Sequence, residues 1–266
     1  MNQRNVLDHF ATKHAPFLHG GGRKATDQLI SCLALKGTEK VLEIGFGTGA
    51  TQVRLKSLYP NLDLSGIERS ANMLEKATSR LKWTLLSPNQ LHLINEPFDF
   101  FPFPTNNFDV VFFESVFGVL TIEEIKKNLK EIKRVLKPGG TLAFNESMWL
   151  SNIPIDTIHA INLQCKSDFG ITLAQEEVIT IEDWKAFLSS DGFEVQTIQN
   201  VRPGFSINRF SKYDLLSMLF TYLGKLKAGF DIEMKSMDRL IHTTMNNSKA
   251  DGMQYIDACL MLLNLK

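Results

Sequence analysis

Cysteine is scarce in this sequence and carries no pattern. Cys32, Cys165 and Cys259 stand far apart. No CxxC pair or Cys/His cluster has zinc-ligand spacing, and an odd, sparse count excludes a disulfide framework. No metal is expected. An excess of charge is also missing, since 29 basic residues balance 29 acidic ones. A neutral chain lacks the basic footprint that binding to a phosphate backbone requires, so nucleic acid is excluded as the default partner. No run of about 18 apolar residues occurs, which excludes a membrane-spanning helix. The first 22 residues, MNQRNVLDHFATKHAPFLHGGG, contain no apolar core of a secretory signal. A cytoplasmic location is the expectation. Repeats and low-complexity segments are absent as well.

What is present is an ordinary globular composition, 44% hydrophobic and 22% charged over 266 residues, enough for one large domain with insertions. From Thr38 onward short apolar runs alternate with helical spacing, the way βαβ units are written. Strands are predicted at 40–44, 62–67, 91–94, 108–113 and 141–144. An amphipathic helix over 122–136 carries Ile125, Leu129, Ile132 and Leu136 on one face, and the KPGG sequence that follows turns the chain into the fifth strand. After Glu146 the rhythm loosens. A helix over 155–166 interrupts the alternation, and a helix over 181–190 leads into a sixth strand at 193–195. Two helices follow, over 213–227 and 232–245, and the apolar stretch 255–263 is read as a seventh strand that closes a terminal hairpin. The expected fold is α/β: a three-layer sandwich around a mostly parallel seven-stranded sheet, with helical caps inserted at about 147–179 and 206–250.

Gly45-Phe46-Gly47-Thr48-Gly49-Ala50 follows a strand and opens a helix. Glycines there permit a tight turn and let a ligand approach helix N-terminal amides. Glu68 ends the next strand, 23 residues after Gly45, where a carboxylate accepts hydrogen bonds from ribose hydroxyls. The loop also satisfies G-x-G-x-x-G/A, so alone it fits NAD equally well. Glu43, two residues before the first glycine, argues against a pyrophosphate, which it would repel. An ammonium group is its natural partner.

The segments VLEIGFGTGA, GIERSANML, NFDVVFFESV and RVLKPGGTLAF, in this order and spacing, resemble the successive motifs of class I methyltransferases dependent on S-adenosylmethionine. The resemblance covers roughly residues 15–199 and implies the cofactor S-adenosylmethionine, with S-adenosylhomocysteine as product. It implies that Gly45, Phe46, Gly47 and Gly49 line the methionine and ribose portion and that Glu43 sits near the amino group. Glu68 would bind the ribose hydroxyls, with Arg69 and Met73 flanking the adenine. Glu114 and Ser115 would approach the cofactor through their backbone. Glu114 reads equally as a strand-end carboxylate satisfied locally, and Asp109 and the pair Gly139-Gly140 read as structural. FLHGGGRKATDQLI is similar to an N-terminal segment that folds over the cofactor in some relatives, which places His19 to Gly22 at its mouth.

The sequence departs from the family where the third strand commonly ends in an aspartate facing the adenine. Here it reads Asn95-Glu96-Pro97-Phe98-Asp99, so Asn95, Glu96 or Asp99 supplies the polar contact and Phe98 the apolar one.

Methyl transfer from a sulfonium needs alignment and exclusion of water, with a base only where the acceptor must lose a proton. The candidate bases are His19, beside the glycine run, His159, on the first inserted segment, and Glu146, at the end of the fifth strand. Two caps suggest an enclosed pocket for a small, partly apolar metabolite, methylated on oxygen, nitrogen or carbon. A nicotinamide-dependent oxidoreductase and a cofactor-binding protein that transfers no methyl group are the competing readings.

Overall fold

The computed structural model describes residues 6–94, 100–202, 204–229, 239 and 256–265. The strands are β1 (Lys40–Ile44), β2 (Asp63–Glu68), β3 (Leu91–Leu93), β4 (Phe108–Glu114), β5 (Leu136–Trp149), β6 (Phe193–Asn200) and β7 (Ile256–Leu265). They form one sheet in the order β3-β2-β1-β4-β5-β7-β6. Every neighbouring pair is parallel except those made by β7, which runs antiparallel to both β5 and β6. This is the sandwich with a terminal hairpin that the sequence predicts.

The helices are α1 (Val6–Thr12), α2 (Gly22–Leu33), α3 (Ala50–Leu58), α4 (Ala71–Trp83), α5 (Ile122–Val135), α6 (Ile155–Phe169), α7 (Ile181–Ser190) and α8 (Lys212–Ala228). Successive β4 residues serve opposite faces of the sheet. Val110 and Phe112 pack with Leu29 and Ile30 of α2 and Leu55 and Leu58 of α3. Val111 and Phe113 pack with the α5 stripe Ile125, Leu129 and Ile132 and with Trp184 and Leu188 of α7. Burial on both faces is why these strands read as continuous apolar runs. Reciprocal capping boxes start α5 (Thr121 with Glu124) and α7 (Thr180 with Asp183), fixing both boundaries where the sequence places them.

Three elements run longer than expected. β5 begins at Leu136, immediately before the KPGG sequence, and runs through it. Its pairing with β4 shifts between Phe108 and Val110, because Gly139 takes a left-handed φ of 73°. The strand then continues to Trp149 because β7 pairs with it that far, Trp149 facing Ile256. β6 extends to Asn200 on the same partner strand. α6 runs to Phe169 and stops at Gly170, φ 74°, a left-handed C-cap. The expected helix over 232–245 lies outside the described residues.

The helix α8 packs on α3 and α4 with an unusual orientation. Its inward residues include Asp214 and Thr221, both buried. Leu215, Met218, Leu219, Tyr222, Leu223 and Leu226 are exposed. Polar bonds hold the buried side. Arg54, 1% exposed, forks onto Asp27 at 2.7 and 3.3 Å and reaches Asp214 at 3.3 Å. Ser57 donates to Asp214 at 2.7 Å. Arg80, whose pKa burial pushes down to about 10, donates to Ser217 Oγ at 2.8 Å and Thr221 Oγ1 at 3.1 Å.

Candidate functional site

The strand order reverses between β1 and β4, and in open α/β sheets a ligand binds at such a switch, outside the carboxyl ends of the strands. A cleft of about 130 Å³ lies there. Three carboxylates line it, from Glu43 inside β1, Glu68 closing β2 and Glu114 closing β4. The glycine turn, Arg69, Ser70 and Met73 of the β2–α4 connection, Ser115 to Val116, Val119 and Leu120, and the N-terminal residues Leu7 and Phe17 to His19 complete the lining.

The glycine turn is shaped for close approach. Gly47 has φ 51°, and a Cβ there would meet nothing nearer than Leu18 Cδ1 at 3.8 Å, so the space before it is open. Gly49 has a different task. A Cβ on it would come within 3.0 Å of Ala77 Cβ, so this glycine permits packing of α3 against α4 and does not line the cleft. Phe46, 4% exposed, lines it and packs beside Gly66 of β2.

Glu68 organises the loops around it. Its Oε2 accepts the Gly47 amide at 3.0 Å, and its Oε1 accepts the amides of Arg69 and Ser70 at 2.8 and 3.0 Å. Burial raises its pKa against those three bonds. Glu43 accepts from Gln52 Nε2 at 2.6 Å. Burial first, and then the charges of Glu114 and Glu68, hold its carboxyl protonated well above the ordinary range.

Glu114 is gripped from two helices and the N-terminal segment. Its Oε2 accepts from Thr26 Oγ1 at 2.8 Å and Thr51 Oγ1 at 3.3 Å, and lies 3.2 Å from His19 Nε2. Its Oε1 is buried and has no hydrogen-bond partner among the described residues. Ser115 adopts φ 54° and donates its amide to Asn145 O at 2.8 Å. Backbone strain of this kind concentrates at functional sites.

The three candidate bases separate. His19 lines the cleft, but both ring nitrogens are engaged: Nε2 by Glu114 and by Thr26 Oγ1 at 3.0 Å, Nδ1 by Gly20 O and Asn145 Nδ2, each at 3.2 Å. Glu146 lies outside the lining, 2% exposed. It accepts the backbone amides of Val116, Phe117 and Gly118 at 2.6, 2.7 and 3.3 Å and so anchors the rim turn. Burial raises its pKa to about 7 against the pull of those bonds. His159 sits on the exposed side of α6, away from the cleft. The expectation that Glu146 and His159 face the cleft is therefore corrected by position: one is consumed by backbone amides, and the other points to solvent. Glu96 and Phe98, with Asn95 and Asp99, lie outside the described residues.

Asp109 is structural in the described geometry, taking the Lys40 amide at 2.9 Å and Lys137 Nζ at 2.6 Å. Thr26, Thr51 and Gln52 were not singled out from sequence. Their only signal is a polar residue on a helix whose other positions are buried. The segment 147–179 meets the rim through Thr172, which donates to Gly118 O at 2.7 Å, and Gln175, which donates to Leu120 O at 2.9 Å.

Comparison with known proteins agrees with this geometry. Residues 41–140 match the family model of a methyltransferase domain. An uncharacterised methyltransferase of Bacillus subtilis is 28% identical over 70% of this chain and 72% of its own length. Other relatives align over as little as 42% of theirs. Among solved structures, a Galdieria sulphuraria protein described as a candidate sarcosine dimethylglycine methyltransferase superposes with a TM-score of 0.69 at 15% identity, covering 98% of both chains. The phosphoethanolamine N-methyltransferase 2 of Haemonchus contortus, solved with phosphomonomethylethanolamine and S-adenosylhomocysteine, gives a TM-score of 0.69 at 17% identity. That match covers 98% of this chain and 57% of the other.

Proposed function

We propose that this protein, whose residues 41–140 match a methyltransferase domain, uses S-adenosylmethionine as methyl donor and methylates a small, partly apolar metabolite on oxygen, nitrogen or carbon. The observation that carries the reading is the cleft at the strand switch, where the open face of Gly47 adjoins the carboxylate of Glu68.

The residues present fit the donor. Its sulfonium and ammonium groups are cationic, and among the described residues the cleft offers Glu43, Glu68 and Glu114 against a single lining arginine, Arg69. Glu68 Oε2 accepts one amide and keeps capacity for a ribose hydroxyl. Gly45 to Gly47 approach the methionine portion, Glu43 serves the amino group, and Met73 and Arg69 flank the adenine, with Glu96 and Phe98 assigned to the same end.

When bound, the donor supplies an electrophilic methyl carbon on a good leaving group. The protein contributes alignment and exclusion of water. Phe17, Leu18 and Leu120 make the wall that keeps the cleft dry, and Glu146 holds the 116–118 turn where the acceptor must pass. The two inserted segments, 147–179 and 206–250, are assigned to the acceptor side of a single domain. The acceptor is a free small molecule of the cytoplasm rather than nucleic acid. No described helix is long and apolar enough to cross a membrane.

Calorimetric titration with S-adenosylhomocysteine, NAD and NADP tests the reading. Micromolar binding of S-adenosylhomocysteine alone, abolished by Gly47→Arg, is expected. Binding of NAD or NADP in its place would make the protein an oxidoreductase and overturn it.

A further inference from the structure

We propose that the free oxygen of Glu114 is the proton acceptor of the reaction, and that the methyl acceptor is therefore a nucleophile that arrives carrying a proton, on nitrogen, oxygen or carbon, and sheds it. This rests on the methyltransferase reading above. Burying a carboxylate oxygen with no donor costs on the order of 1–3 kcal/mol or more, and such an atom in a folded protein calls for a reason. Glu114 has one oxygen saturated by Thr26, Thr51 and His19 and the other without a partner. Its side chain is 4% exposed, in a residue that lines the cleft. Three contacts on Oε2 fix the orientation of Oε1, the preorganisation a proton acceptor needs.

Position separates this carboxylate from the other two. Glu68 is committed to three amides at the β2 end, and Glu43 to Gln52 on β1. A cofactor held by its ribose at β2 and its methionine portion over the glycine turn after β1 leaves β4 next in the sheet, about 4.8 Å further on. Glu114 closes that strand. As an electron pair of the neutral acceptor, a lone pair on nitrogen or oxygen or a π pair on carbon, bonds the methyl carbon, the carbon–sulfur pair stays on sulfur and the acceptor becomes cationic. Its proton then passes to Glu114 Oε1, and from the carboxylic acid to solvent after release. An oxyanion acceptor brings negative charge against this carboxylate and has no proton to give. His19, with both nitrogens occupied, acts here as a positioning residue.

Sinefungin, which carries an amine in place of the transferable methyl group, probes the position directly. Calorimetry on the wild type and Glu114→Gln would compare sinefungin, S-adenosylhomocysteine and 5′-methylthioadenosine. The expected result is that the preference for sinefungin over S-adenosylhomocysteine falls about tenfold in Glu114→Gln, the loss of one charge-assisted hydrogen bond. S-adenosylhomocysteine itself should stay within about twofold, which also reports correct folding. Glu114→Asp keeps the charge one methylene further back and should retain part of the preference. It carries the test if the glutamine variant folds poorly. An unchanged preference in both variants overturns the proposal. So does a roughly tenfold loss for S-adenosylhomocysteine with 5′-methylthioadenosine unaffected, because the carboxylate would then hold the cofactor's own ammonium. A wild type that binds no S-adenosylhomocysteine fails at the earlier step, and both readings fall together.

Discussion

Two glutamates on neighbouring strands, Glu114 at the end of β4 and Glu146 within β5, meet opposite fates, and the difference lies in what their oxygens touch. Glu146 spends its carboxylate on the amides of Val116, Phe117 and Gly118, whereas Glu114 keeps one oxygen free. Position alone did not separate them in the sequence, since both stand at carboxyl ends of the predicted strands. Only the folded turn reveals which is consumed. Glu146 also gives a pH signature. Its pKa in the folded protein is about 7, against 4.5 ordinarily, with burial as the first cause. A carboxyl raised in this way contributes stability that is fully present below about pH 4.5 and lost as pH rises through about 7, on the order of 3 kcal/mol in all. Glu146→Gln removes that titration. Thermal melts between pH 5 and 7.5 should show a smaller fall in Tm for the variant than for the wild type, and parallel curves would refute the assignment.

At the scale of elements, α8 departs most from what periodicity teaches. Apolar spacing identified a helix over 213–227, and the structure places one at Lys212–Ala228. Such spacing ordinarily turns an apolar stripe inward. Instead the polar positions are buried, because Arg54 and Arg80 on α3 and α4 need partners and Asp214, Ser217 and Thr221 provide them. Asp214→Ala leaves Arg54 and Ser57 short of a buried partner and should cost about 3–5 kcal/mol in urea unfolding. Leu215→Ser, on the exposed stripe, should change stability by less than about 0.5 kcal/mol. The reverse order of effects would mean that the helix is turned about its axis. The strands and the capping boxes were legible because each depends on a few adjacent residues. The full length of β5 was not, because its last residues are strands only through pairing with β7, more than a hundred positions away.

For the molecule as a whole, the mostly parallel sheet was legible in the alternation of strands and helices, the terminal hairpin in the need to complete that sheet, and the cofactor end of the cleft in motifs that sit at strand ends, whereas the strand order is seen only in the structure. The grip on Glu114 did not follow, since Thr26, Thr51 and His19 come from separate elements and nothing in their spacing links them. A ligand held by so many elements should stabilise all of them together. S-adenosylhomocysteine at a hundred times its Kd should add about 2.7 kcal/mol and raise Tm by roughly 5–10 °C, while NAD at the same concentration leaves Tm unchanged. The acidity of the cleft has one more consequence. Glu43 holds its proton above the ordinary carboxylate range, through burial first and the neighbouring glutamates second. A cation arriving beside it favours the ionised form, which opposes the upward shift that burial imposes. Cofactor affinity is expected to strengthen as pH rises towards the raised Glu43 pKa, and a binding heat that changes with the ionisation enthalpy of the buffer would reveal a proton given up as the methyl donor loads.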